Sequence, residues 1–100
     1  MPNASRVITA AINEIVRRHE ALRTTFRTND GRPQQIIHPT WTIAVPRHTL
    51  LDLPADQRAP ALRRRLNDER QRPFDLARGP LLRAAIFQLA AQEHVLALTC

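Results

Sequence analysis

The stretch Arg18-His19-Glu20-Ala21-Leu22-Arg23-Thr24-Thr25-Phe26, with Asn29-Asp30-Gly31 just beyond it, decides how the chain is read. Upstream, Ile8, Ile12, Ile15, His19 and Leu22 recur at four, three, four and three residues, with Val7 and Ala11 widening the stripe, which is the spacing of a core-facing helix starting near Arg6. Asn13, Arg17 and Glu20 fall on its wet face. Asn3 or Ser5 is placed to cap it, and residues 1–6 are expected to fray. Downstream, Thr24 to Thr28 is β-branched and aromatic, the sign of a strand. The Asp-Gly pair then closes a hairpin onto Gln34 to His38, with Pro33 at the entrance of the second arm.

Two residues sit oddly in this junction. His19 lies in the centre of the apolar stripe and reads as a core histidine satisfied by a backbone carbonyl. Arg18 lies on the flank, in the row of Val7 and Ala11. It can pair with Glu14 one turn earlier or snorkel to the surface, or it can be a buried arginine that needs a carboxylate elsewhere.

Further along, Trp41, Ile43 and Val45 alternate with Thr42 and Ala44 and predict a third strand ending before Pro46. Asp52 and Pro54 predict the start of a second helix over 55–71, with Ala55, Ala59, Leu62 and Leu66 as its apolar seam and Pro60 as its weak point. Arg63-Arg64-Arg65 reads as a solvated face once Asp68 and Glu69 are placed one turn on from Arg64 and Arg65. Arg72 to Pro80 reads as an ordered loop anchored by Phe74. Leu81 to Leu89 is a strand covered on both faces, and Val95 to Cys100 is its antiparallel neighbour. The fold class is α/β (an α+β sandwich), with about two helices and five strands joined by hairpins.

The chain has 100 residues, 43% of them hydrophobic, enough for one small domain. Its 15 basic residues are all arginine, and with nine acids the net charge is +6. A nucleic-acid binder shares that balance, but such sites interleave basic residues with exposed aromatics, whereas Phe26, Trp41, Phe74 and Phe87 are scattered through apolar segments. His19, His38, His48 and His94 stand at no metal-ligand spacing. With Gly31 and Gly79 as its two glycines, the chain carries no phosphate loop. Cys100, apolar-flanked and alone, reads as core rather than nucleophile and implies a reducing, cytoplasmic setting. No secretory leader and no apolar run of membrane-spanning length is present.

Arg18 to Phe26 resembles the RHExLRTxF motif of nonribosomal peptide synthetase condensation domains. Pro73-Phe74-Asp75-Leu76 through Gly79-Pro80-Leu81-Leu82-Arg83 is similar to their PFDLxxGPLLR segment. The resemblance implies that residues 7–100 are part of the N-terminal lobe of a chloramphenicol-acetyltransferase-like fold. The lobe would stop just before the catalytic HHxxxDG motif, so catalytic residues are expected in this chain at none of its positions. Such a parent forms amide bonds between a carrier-tethered acyl or peptidyl thioester and an aminoacyl amine, both held on phosphopantetheine. The partners implied are the remainder of the condensation domain and peptidyl or acyl carrier domains, with no membrane and no nucleic acid; this chain itself would bind no cofactor and no metal. Arg18, Arg23 and His19 are the residues expected to support the active site structurally, Arg18 through a salt bridge to the HHxxxDG aspartate. Burying Arg18 without that partner would cost about 3–5 kcal/mol, so the isolated chain is expected to be unstable. The alternative is a standalone basic module for nucleic acid or another acidic partner.

Overall fold

A computed structural model describes residues 4–100, which form two helices, a short 3-10 turn and five strands. They fall into two compact units, one of residues 4–44, 74–82 and 100, the other of residues 45–73 and 83–99.

In the first unit, helix α1 spans Ala4–Arg18, so it already includes residues expected to fray; the proposed Asn3 cap lies outside the described residues. Its buried positions are Ile12 and Val16, with Ile8, Thr9 and Asn13 half-buried beside them. The inward face is therefore rotated from the expected stripe, and Val7 and Ile15 are 53% and 47% exposed. Asn13 explains the rotation. Its side chain accepts from the Ile43 amide at 2.7 Å and donates to the Ile43 and Thr9 carbonyls at 3.0 and 2.9 Å. A polar residue that satisfies an irregular backbone faces inward in place of an isoleucine.

That contact also removes the strand expected at 41–45. Ile43 is buried, but its backbone N–H and C=O are spent on Asn13 rather than on a ladder. Strands β1 (Thr24–Asn29) and β2 (Arg32–Ile37) pair antiparallel with Thr24 opposite Ile37 and Asn29 opposite Arg32. Asp30 and Gly31 between them take φ of 52° and 75°, the two left-handed positions of a tight hairpin.

The second unit holds β3 (Arg47–Thr49), α2 (Ala55–Gln71), β4 (Arg83–Ala90) and β5 (Glu93–Thr99). The fifth strand of the fold is thus found beyond Pro46 rather than before it. β3 runs parallel to β4, with α2 as the crossover between them, and β5 returns antiparallel, Ala84 opposite Leu98 and Phe87 opposite Val95. β4 is the centre of this sheet: Ala84, Ala85, Ile86 and Phe87 are all buried, so both faces are covered as their sequence implies.

Helix α2 keeps the expected bounds and passes through Pro60 without a break. Pro60 stands six residues in, where its missing N–H costs one bond near the start rather than mid-helix. The cap differs from expectation: Pro54 occupies the N-cap position, and Asp52 makes no capping bond to the helix. The seam is also shifted, with Ala61 buried and Leu62 and Leu66 half-buried while Ala55 and Ala59 are exposed. Arg65 lies 5.7 Å from the Phe87 ring centre instead of pairing with Glu69. Glu69 lies 3.3 Å from Arg72 and 3.8 Å from Arg83.

Candidate functional site

The junction after α1 is built by local breaks in helical bonding. The His19 amide still reaches the Ile15 carbonyl at 3.1 Å, but His19 itself is extended (φ −124°, ψ 104°), and Glu20–Arg23 form a single 3-10 turn. The Leu22 amide bonds the His19 carbonyl at 3.0 Å, and the Thr24 hydroxyl donates to the Glu20 carbonyl at 2.7 Å. The turn changes the direction of the chain before β1 begins.

Arg23 holds that turn to both its neighbours. Nε donates to the Val16 carbonyl at 3.0 Å, Nη2 to the Arg17 carbonyl at 3.2 Å and Nη1 to the His38 carbonyl at 2.6 Å. Val16 and Arg17 belong to the last turn of α1, whose carbonyls have no partner within the helix. The planar fork thus caps α1 and ties it to the end of β2, and the His38 amide returns a bond to the Arg23 carbonyl at 2.8 Å.

Thr24 and Thr25 are buried directly behind this clasp. Thr25 Oγ1 hydrogen-bonds His38 Nε2 at 2.8 Å, and the His38 ring meets Trp41 edge-on, ring centres 4.7 Å apart. Gly79 closes against the same group. A Cβ there would lie 2.9 Å from Trp41 Cη2 and 3.1 Å from Thr25 Cγ2. The Phe26 amide donates to the Leu76 carbonyl at 2.7 Å, and Asp75 Oδ1 accepts from the amides of Ala77 and Arg78 at 3.1 and 3.2 Å, which folds the loop. Residues 74–82 of the second motif stretch are therefore packed in one unit with the first, and Phe74 is half-buried there.

Arg18 takes the first of the placements its sequence allows, the pairing with Glu14, while His19 is placed otherwise than expected. Arg18 is exposed, with 68% of its side chain accessible, and its Nε lies 2.9 Å from Glu14 Oε1. The same carboxylate takes both Nε and Nη2 of Arg17, at 2.9 and 2.6 Å. Hydrogen bonds from Arg17 and then Arg18 lower the Glu14 pKa from 4.5 to about 2, and Glu14 in turn raises that of Arg17. The buried, unpaired Arg18 that would have destabilised the chain is absent, because the rotated helix puts its row outside. The same rotation exposes His19, so it is not a core histidine. Cys100 is likewise exposed rather than core.

A cavity of about 230 Å³ lies beside the clasp, lined by Asn13, Arg17, Arg23, Pro39, Thr40, Trp41 and Thr42. Three of its polar walls are already engaged, Arg23 with three carbonyls, Arg17 with Glu14 and Asn13 with Ile43 and Thr9. Among the described residues, no three His, Cys, Asp or Glu side chains cluster to hold a metal ion, and no helix is long and apolar enough to cross a membrane. Sequence reasoning named Arg23 but missed Asn13 and His38, whose partners lie 30 and 13 residues away, and Trp41, which packs on His38 and lies beside Gly79.

Comparison with known proteins places this geometry. The condensation-domain family profile matches residues 3–100. Chondramide synthase from Chondromyces crocatus is 44% identical over 94 residues, 94% of this chain and 2% of that protein. A phosphinothricin tripeptide synthetase, PhsC, from Streptomyces viridochromogenes is 38% identical over 98 residues, 98% of this chain and 9% of that protein. Among solved structures, SgcC5 from Streptomyces globisporus superimposes with a TM-score of 0.79 at 26% identity, over 96% of this chain and 22% of that one. A double mutant of the starter condensation domain of rhizomide synthetase gives 0.82 at 22% identity, over 97% and 23%.

Proposed function

The chain belongs to the condensation-domain family, and from that premise we propose that it serves as a supporting piece of the N-terminal lobe of an amide-forming condensation domain, acting in the cytoplasm. In this reading the catalytic groups lie outside the chain, the remainder of the domain completes the lobe, and carrier domains present phosphopantetheine-tethered substrates. Joining an acyl thioester to an aminoacyl amine depends first on holding both in register, which a braced scaffold supplies.

The observation that carries the reading is a rigid clasp beside an exposed, weakly held cation. Arg23 fixes the end of α1 through three carbonyls, and Arg18, one turn back, stands exposed on Glu14. An exposed ion pair is worth little, so Arg18 can exchange Glu14 for a carboxylate supplied by the rest of the domain. His19 adds no comparable contact.

The test is a chimera in which residues 7–100 replace the matching segment of a related condensation domain, assayed for amide formation with pantetheine-bound aminoacyl substrates. The chimera is expected to be active, the 100-residue chain alone inactive, and Arg18→Ala to slow the chimera. Turnover by the chain alone, or a folded chimera with no activity, would overturn the reading.

The reading as a standalone nucleic-acid module finds no support. Arg23, Arg58 and Arg83 are spent on backbone carbonyls and Arg65 on Phe87, and Phe87, 1% exposed, offers no stacking platform. Nanomolar DNA affinity falling steeply with salt would reverse that judgement.

A further inference from the structure

The cavity beside the Arg23 clasp is walled from within residues 13–42, all of them in the first unit and well inside the chain. At about 230 Å³ it falls below the range of sites for drug-sized ligands, and it suits a molecule of about ten non-hydrogen atoms. Its walls are mostly apolar, with Pro39 and Trp41 among them. Its charge is of one sign. Arg17 and Arg23 line it, and no Asp or Glu is among the described residues that do.

Both arginines keep donors in reserve. Of the five N–H groups of a guanidinium, Arg23 commits three to the Val16, Arg17 and His38 carbonyls, and Arg17 commits two to Glu14. Arg23 is held by neutral carbonyls rather than by a carboxylate, so its charge is fixed in place before a ligand arrives and is not cancelled. Arg17 shares Glu14 with Arg18, and because that pairing is exposed and worth little, a second carboxylate can join Arg17 at small cost. Thr40 and Thr42 add hydroxyl-bearing side chains to the same walls.

We propose that this cavity binds a small organic carboxylate with a flat apolar body, of the size of an arylacetate. The carboxylate takes remaining N–H donors of Arg17 and Arg23, a charge-assisted contact stronger than one between neutral groups, and the body rests against Trp41 and Pro39. An inorganic anion would leave the apolar walls uncovered. A neutral molecule of the same shape would leave the two cations unanswered. The site goes beyond the bracing role proposed above, since this chain's own residues form it and it asks nothing of the catalytic groups.

The test titrates phenylacetate into the isotope-labelled 100-residue chain and follows the indole N–H of Trp41, the single tryptophan, by NMR. Calorimetry repeats the titration on a chimera that carries residues 7–100 within a related condensation domain. The expected result on both is saturable binding with a dissociation constant of about 1 mM or tighter, and affinities at least about tenfold lower for phenylethanol and for inorganic phosphate. Arg17→Ala should weaken phenylacetate binding at least about fivefold, while Arg27→Ala, on β1 outside the cavity, leaves it unchanged. The first titration uses the unaltered chain, so it stands even if the Arg17 variant misfolds. Weaker binding of phenylacetate than this, equal affinity for phenylethanol or for phosphate, or an affinity that Arg17→Ala leaves intact would each overturn the proposal. So would binding by the chain that is lost in the chimera, which would show the remainder of the domain filling the cavity. None of these readouts involves amide formation, so their failure is distinct from failure of the scaffold reading.

Discussion

Replacing Arg23 by lysine separates two contributions that arginine makes together. Lysine keeps a positive charge near the C-terminus of α1, where a cation is worth about 0.3–1 kcal/mol through the helix dipole. It loses the fork. One ammonium can hold the His38 carbonyl, now 2.6 Å from Nη1, but the bonds to Val16 at 3.0 Å and Arg17 at 3.2 Å arise from two other nitrogens in fixed geometry. The part-buried Val16 bond is of the charge-assisted kind worth about 1.5–3 kcal/mol, while the exposed Arg17 carbonyl can turn to water at small cost. Arg23→Lys should therefore destabilise by about 2 kcal/mol, which is roughly 10 °C in melting temperature for a chain of this size. Trp41, the single tryptophan, is half-buried against His38 and reports on this unit, so urea unfolding followed by its fluorescence is the assay. Arg23→Ala should cost more, about 3–4 kcal/mol, because the His38 bond goes as well. A lysine variant within about 0.5 kcal/mol of the parent, beside a strongly destabilised alanine variant, would show that charge and not the fork holds the junction.

Gly79→Ala should cost about 3 kcal/mol, from a φ of +66° and a Cβ driven into Trp41 and Thr25, with a shift in Trp41 emission; a neutral effect would mean that Trp41 is free to move. Asn13→Asp removes both amide donors and turns a carboxylate toward the Thr9 and Ile43 carbonyls, so a loss of about 2–3 kcal/mol is expected in the same urea assay, larger than for Asn13→Ala. Glu14 should titrate by NMR near the value of about 2 set by its two arginines. Its folded pKa lies below the ordinary one, so the pair favours the fold at neutral pH and that contribution fades as pH falls from the unfolded value toward the folded one. Because the pair is exposed, Glu14→Gln should leave the melt at pH 7 nearly unchanged, and a midpoint of about 4 for Glu14 would refute the double pairing.

Elements whose residues carry local instructions could be read from sequence. Asp30-Gly31 demands a tight hairpin, the apolar run in β4 demands a doubly covered strand, and α2 keeps its bounds despite Pro60. What failed was phase. Periodicity ranks helix faces by hydrophobicity, and in α1 it cannot know that Asn13 will find the Ile43 backbone 30 residues away. Once Asn13 faces in, Ile15 and His19 must face out and Arg18 is left to the Glu14 pairing, so one unforeseen hydrogen-bond pair moved two expectations and decided a third. The same pair removed the strand expected at 41–45, and with it the parallel β3–α2–β4 unit became invisible, because its first strand was sought before Pro46 rather than after it. The family resemblance rested on motif identity and was unaffected by the rotation.

The arginine composition also changes meaning once the clasps are counted. Arg23, Arg58 and Arg83 each donate to three main-chain carbonyls: Arg58 to Leu51, Leu53 and Leu89, and Arg83 to Glu69, Arg72 and Pro73. Two of these sets lie at helix ends, Arg23 at α1 and Arg83 at α2, where carbonyls lack intrahelical partners. The Arg58 set gathers the turn before α2 and the end of β4. A lysine point charge cannot serve three divergent acceptors at once, whereas a planar guanidinium with five donors can. Part of the net charge of +6 is therefore a consequence of using arginine as a backbone connector. Charge spent on carbonyls inside the chain is unavailable to phosphate, so a basic composition is not by itself the mark of a nucleic-acid site in this sequence.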